Sequence, residues 1–249
     1  QVKSSSLKSM FQKELDLRVP RDNFYHCLVT AAHQFHNREA DDTRYLLAGY
    51  PWFKCRARDT FISLPGLTLA IDEADYFELV MNTAERGLRE FMKGDPLSVK
   101  IYEMDQPDVP LWAVWAIQQY AKYVGRDRAF DMYGKLLQDI IIYIKDGGHP
   151  NLRLDDNGLL YADGKEKAIT WMNSKANGKP VVPRSGYIVE FNALWYNAVK
   201  FCALMAAEKG DVKGAGVLEE LAAKTKKSFV DTFVNEYGYL LDYVDGNMM

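Results

Sequence analysis

Apolar residues recur at intervals of three and four along most of the chain, the period of a helix with one buried face. The run NFYHCLVTAAHQFHN places Phe24, Leu28, Ala31, Ala32 and Phe35 on that rhythm with Asp22 as N-cap, and predicts a helix from Asn23 to about Asn37. A second helix is expected from about Thr60 to Asp72. A third runs from about Asp75 until Gly94 ends it, the two packed as an antiparallel pair. VPLWAVWAIQQYAKYVG predicts a fourth from Val109 to Gly125, and a short turn leads into a fifth from Asp127 to Gly147. Two further helices are expected over about Ile188 to Lys209 and Lys213 to Val234, joined at Gly210.

The rhythm breaks in two places. NLRLDDNGLLYADG carries apolar residues on both sides of an Asp-Asn-Gly turn, which predicts a β-hairpin from about Leu152 to Tyr161. The tail YGYLLDYVDGNMM reads as extended chain around a turn. No Pro/Ser-rich linker or block of like charge divides the chain, so 1–249 is read as a single domain. Helices in pairs, about seven in all, make an all-α fold of the helical-hairpin kind, arranged as an open solenoid or a closed toroid.

Composition narrows the choice of ligand. The 31 basic and 34 acidic residues nearly cancel, which argues against nucleic acid or a polybasic membrane surface and favours a neutral partner. No apolar run reaches the roughly 18 residues of a membrane span, and the N-terminus lacks the apolar core of a signal peptide, so a cytoplasmic protein is expected. Cys27, Cys55 and Cys202 are odd in number and far apart, which predicts neither a disulfide framework nor a zinc site. His26, His33, His36 and His149 offer at most a helical pair without a carboxylate partner, so no metal is expected.

Three loops concentrate aromatic and charged side chains ahead of a helix. In LLAGYPWFKCRARDTFISLPGL, Gly49 and Pro51 break regular structure, Trp52 and Phe53 offer flat apolar faces, and Arg58-Asp59 precedes the helix expected at Thr60. In YEMDQPDVPLWAVWAIQQY, Asp105 and Asp108 precede a helix whose first turn holds Pro110, with Trp112 and Trp115 three apart. In TWMNSKANGKPVVPRSGYIVEFNALWYN, Trp171, Asn173, Arg184, Glu190, Asn192 and Trp195 fall within one loop and helix start. Taken singly, each loop has a plain reading, with the acidic residue as a cap and the aromatics as core. A guanidinium and a carboxylate fixed at a helix start can instead grip vicinal hydroxyls while a ring covers the apolar face of a sugar. Three such loops argue for one shared pocket.

AGYPWFKCRARDTFISLPGL, DVPLWAVWAIQQY and TWMN...PVVPRSGYIVEFNALWYNAV, in that order between about Leu46 and Val199, resemble the glucosidase domain of glycogen debranching enzymes, the amylo-α-1,6-glucosidase family. The resemblance implies an (α/α)6 toroid of paired helices with the active site at its mouth. It also implies inverting hydrolysis of the single α-1,6-linked glucose at a glycogen branch stub, with free glucose as product and no cofactor. Arg58 and Asp59 would then hold hydroxyls of the non-reducing glucose, while Trp52, Asp108, Trp112, Trp171, Arg184, Asn192 and Trp195 would help to line the subsite for an α-glucan partner.

The chain departs from that pattern at the reacting position. The family's general acid is the aspartate ending a TWMD motif, and Asn173 stands in its place. A carboxamide donates a hydrogen bond but delivers no proton. Glu190 serving as the acid, glucan binding without efficient cleavage, and an altered position are the three readings that follow. Lys54 to Ala57 also replace a Gly/Trp-rich run of the relatives, so the subsite is expected to be reshaped. The family's base is a glutamate in a late loop that has no counterpart here, and a closed toroid takes about twelve helices. The chain is therefore expected to be a fragment, the N-terminal half or more of the domain, inactive alone and prone to self-association through an exposed apolar edge. Another exo-acting (α/α)6 glucosidase, a non-catalytic α-glucan-binding protein and a helical scaffold for protein partners are the alternatives.

Overall fold

The computed structural model describes residues 4–245 apart from 17, 19, 42 and 51, so Pro51 and the end of the tail at 246–249 lie outside the described residues. Among the described residues eight α-helices form: α1 Ser4–Asp16, α2 Phe24–His33, α3 Ala57–Leu67, α4 Ala74–Lys93, α5 Val109–Val124, α6 Arg126–Lys145, α7 Val189–Glu208 and α8 Val212–Phe233. The fold is mostly α-helical with small sheets. Gly94 ends α4 in the left-handed region at φ 76°, where its amide reaches the carbonyls of Glu90 and Phe91.

Local chemistry moves several boundaries from where periodicity puts them. Asn23, not Asp22, caps α2 by accepting from the His26 amide at 2.9 Å, while Asp22 meets the His26 ring. The helix ends at His33 rather than Asn37, because the chain turns into a strand at His36. Its apolar period is not a core face either, since Phe24 is 79% and Leu28 50% exposed, and Val29, Thr30 and Ala32 are the residues buried. α3 starts at Ala57, whose amide donates to Tyr102 O at 2.9 Å, so Arg58 and Asp59 lie inside its first turn instead of before it. The stretch expected to continue α3 to Asp72 is a separate 3-10 turn, Leu69–Ile71. α1 was not expected from the pattern, and its Leu7, Met10 and Phe11 are all more than half exposed.

α5 packs on α3 to one side and on α7 to the other. α4 touches α3 and α5, α6 touches α5 and α7, and α8 lies along α7. The sequential helices therefore form three hairpins, α3/α4, α5/α6 and α7/α8, and their shared interior holds Phe61, Phe77, Tyr120, Phe191 and Trp195. Phe77 and Tyr120 stack there at 4.7 Å. Gly87 marks the tightest approach within α4, since a Cβ would lie 2.5 Å from Val99 Cγ2. No helix among the described residues is long and apolar enough to cross a membrane.

The strands are short. β1 (His36–Arg38) pairs with β2 (Arg44–Leu46) ahead of α3. β3 (Leu152–Leu154) and β4 (Leu160–Ala162) make the expected hairpin with Leu154 opposite Leu160, turning at Gly158 with φ 84°. A second, unexpected hairpin joins β5 (Lys175–Ala176) to β6 (Lys179–Pro180). β7 (Gly186–Ile188) and β8 (Tyr243–Val244) complete an antiparallel sheet of order β3-β4-β7-β8, which brings the tail to the entrance of α7.

Candidate active site

The first turn of α3 and the N-cap position of α5 adjoin, and a buried ion pair joins them. Asp108 makes no capping bond to its own helix. Its carboxylate turns to Arg58, accepting from Nε at 2.6 Å and from Nη2 at 2.9 Å, and the Trp112 indole donates to the same carboxylate at 3.1 Å. Nη2 also reaches Gln106 Oε1 and the Ile169 carbonyl at 3.4 Å each. Arg58 is 7% and Asp108 3% exposed. Charges so far from water are costly unless hydrogen bonds satisfy both partners, which the two-pronged contact and the indole provide.

That cluster fixes loops whose other side chains face solvent. Asp59, next to the buried Arg58, is exposed, and its carboxylate accepts no hydrogen bond among the described residues. Trp52 and Trp171 are 84% and 64% exposed, and half-buried Trp112 meets Trp115 edge to face at 5.5 Å. Arg58 holds the Ile169 carbonyl two residues before Trp171, and Lys167 Nζ reaches Asp105 Oδ2 at 2.6 Å, so the loop 163–185 is tied at one point to α3 and at another to the loop before α5. At its base a Cβ on Gly164 would sit 2.0 Å from the Arg184 carbonyl, a contact that glycine alone permits. Asn173 is half-buried between Trp171 and β5, with no hydrogen bond from its amide among the described residues.

Behind the Asp105 and Gln106 backbone lies His149, 3% exposed, with Phe91 and Tyr143 edge-on to its ring. Burial lowers its pKa to about 4 despite the opposing pull of Asp105, so the ring is neutral at pH 7. Its Nδ1 accepts from the Asn151 amide at 3.1 Å.

The residues expected at the start of α7 behave differently. Arg184 is 2% exposed and spends all its nitrogens on the fold. Nη1 donates to Glu190, Nη2 to Glu190 at 2.7 Å and to Asp242 Oδ1 at 2.7 Å, and Nε to Asp242 Oδ2 at 3.0 Å. Burial pulls its pKa down, but the bonds and charges of Glu190 and Asp242 outweigh that and hold it above the usual arginine value. Arg184 is thus a clamp between α7 and the tail, with every nitrogen bonded inside the fold and its side chain turned away from solvent. Asn192, expected to line the subsite, is fully buried and bonds the Leu160 amide at 2.7 Å and the Leu160 and Ile188 carbonyls at 3.0 Å. Trp195, expected beside it, is fully buried in the helical core, because position 195 falls on the inner face of α7. Both are scaffold rather than subsite.

Sequence reasoning missed Gln106, the Ile169 carbonyl and Asp242. Gln106 lies inside the stretch YEMDQPDVPLW beside the acidic residues that drew attention; a backbone carbonyl and a tail aspartate carry no local signal. A 510 Å³ groove lined by Phe130, Leu137, Ile141, Cys202 and Met205 shares no residue with the Arg58 cluster. Its one acidic lining residue, Asp211, is occupied in capping α8 through the Gly214 amide, so the groove offers no comparable chemistry.

The helical hairpins gather a buried Arg–Asp pair, a free carboxylate and exposed tryptophans onto neighbouring loops, in a chain whose family match makes it a glycoside-hydrolase-like protein. The family model described as amylo-alpha-1,6-glucosidase matches residues 29–248, and the chain belongs to that glycogen-debranching-related glycosidase family. A comparison with curated proteins returns no match.

Proposed function

We propose that the chain carries an α-glucan site of the amylo-α-1,6-glucosidase kind, serving the inverting hydrolysis of a single α-1,6-linked glucose at a branch stub. The observation that carries this reading is the Arg58–Asp108–Trp112 cluster, which ties together loops bearing the unpaired Asp59 carboxylate and the exposed Trp52 and Trp171. Arg58 acts mainly as the anchor. Asp59 is free to accept from sugar hydroxyls, and an indole face can cover the apolar side of a pyranose.

Inversion takes an acid and a water-activating carboxylate about 6.5–9.5 Å apart. Asn173 can donate a hydrogen bond toward the glycosidic oxygen but supplies no proton. Glu190 is a weak substitute, because both its oxygens accept from Arg184. A second reading, glucan binding without efficient turnover, is favoured by Asn173 itself. Glucose release from a branched maltooligosaccharide by the intact protein separates the two. If position 173 is the acid position, Asn173→Asp raises the rate by ~10²–10⁴. An unchanged rate at unchanged affinity removes residue 173 from that role.

A further inference from the structure

At the other end of α3 from Arg58, two histidines and a glutamate that are far apart in sequence meet. His33 ends α2, His36 opens β1 and Glu73 immediately precedes α4. One donor atom from each lies within 4.8 Å of the others. His33 Nε2 is 2.6 Å from Glu73 Oε1, and His36 Nδ1 is 3.8 Å from Glu73 Oε2. The sequence alone offered a histidine pair without a carboxylate partner; the fold supplies the carboxylate.

We propose that His33, His36 and Glu73 form a zinc(II) site that staples α2 and β1 to the entrance of α4. Three features beyond proximity point to a ligand. His36 Nε2 lies 2.9 Å from the Leu67 carbonyl, which as acceptor places the proton on Nε2 and leaves the Nδ1 lone pair directed at the cluster, the outer-shell arrangement that orients metal-bound imidazoles. The ring is held further by stacking on Tyr76 at 4.0 Å and 12°. Glu73 occupies the N-cap position of α4 yet makes no capping hydrogen bond, its carboxylate turned to the histidines instead.

The spacing suits zinc. With bonds of about 2.0–2.2 Å, ligand atoms around a tetrahedral ion stand roughly 3.3 Å apart; one atom from each of the three side chains already lies within 4.8 Å of the others, and rotation of the partly exposed His33 and Glu73 side chains closes the set on an ion. Two imidazoles and one carboxylate favour zinc over magnesium or calcium, which prefer oxygen donors throughout. The His33 and Glu73 side chains are each 34% exposed, so a water completes the fourth position. Leu67 lies nine residues beyond Arg58 on α3, about 14 Å along the axis, which makes the site a structural one, independent of the sugar reading.

The test is titration of the chelator-treated protein with zinc chloride, followed by calorimetry and thermal unfolding. One equivalent should bind, raise the melting temperature and be reversed by a chelator, while magnesium has no effect. Glu73→Gln, which keeps the side chain's shape, and His33→Ala should each weaken zinc at least tenfold while far-UV circular dichroism stays native. His26→Ala, which alters the exposed His26–Asp22 pair, should leave binding unchanged. Absence of zinc binding by the unaltered protein, or undiminished binding in folded Glu73→Gln, overturns the proposal, as does loss of the site in His26→Ala.

Discussion

Two buried arginines sit beside helix starts in this protein, and each is held by carboxylates, yet they do different work. Arg58 meets one aspartate and leaves Asp59, Trp52 and Trp171 facing solvent on the loops it organises. Arg184 meets two carboxylates, uses every nitrogen, and is followed on α7 by Asn192 and Trp195, both fully buried. In sequence the two stretches have the same flavour of arginine, acid and aromatic before a helix. The difference is that the first loop group leaves polar and aromatic groups at the surface, whereas the second is buried, its charged and amide groups paired within the fold. A motif of sticky residues becomes a site where the fold leaves it incomplete.

Breaking the second cluster should cost the fold. Arg184→Met leaves Glu190 and Asp242 without their counter-charge and is expected to lower unfolding free energy by about 3 kcal/mol, the low end for a broken buried pair because Asp242 is half-exposed. Chemical denaturation checks this. Affinity of the folded fraction for a branched maltooligosaccharide should stay at its original value, and a selective loss of binding without loss of stability would reverse the contrast between the two arginines.

Acid should weaken the first cluster from behind. His149 titrates at about 4 in the folded chain and near 6.5 when unfolded, so between those values the unfolded state binds more protons. Its contribution is complete above pH 6.5 and is lost as pH falls toward 4, by at most about 3 kcal/mol. His149→Gln should flatten that part of the profile of stability against pH.

Asp59→Asn and Trp171→Ala aim at the exposed groups. Each is expected to weaken glucan binding about tenfold, or ~1.4 kcal/mol, read by calorimetry with a branched maltooligosaccharide. Stability should change by no more than about 0.5 kcal/mol, since neither side chain is buried. The smallest effect is expected for Trp112→Phe, which keeps the ring but removes the indole hydrogen bond to Asp108, costing about 1 kcal/mol in thermal unfolding.

Much of the scaffold could be read from the linear pattern. The helices later seen as α4 to α8 fall within a residue or two of their expected ends, because Gly94, Gly125 and Gly210 stop or join them by local conformational preference. The hairpin at β3 and β4 was legible for the same reason. The hairpin at β5 and β6 carries an Asn177-Gly178 turn with φ of 50° and 80°, a signal that was present but masked by the surrounding polar loop. α3 was misplaced because its start is set by hydrogen bonding to Tyr102, which is distant in sequence.

The sequence by itself determined the helical hairpins, the order of the three loops and the family, since these follow from contacts between near neighbours and from motifs that survive in one dimension. Tertiary structure alone decided which charged and aromatic residues were finished and which were left open. Asp108 turned from cap to ion-pair partner, Arg184 from subsite lining to clamp, and Trp195 from subsite to core, while Glu73 joined two histidines across 40 and 37 residues of chain. Burial and hydrogen-bond satisfaction depend on what folds against a residue, and that is not written in its neighbours.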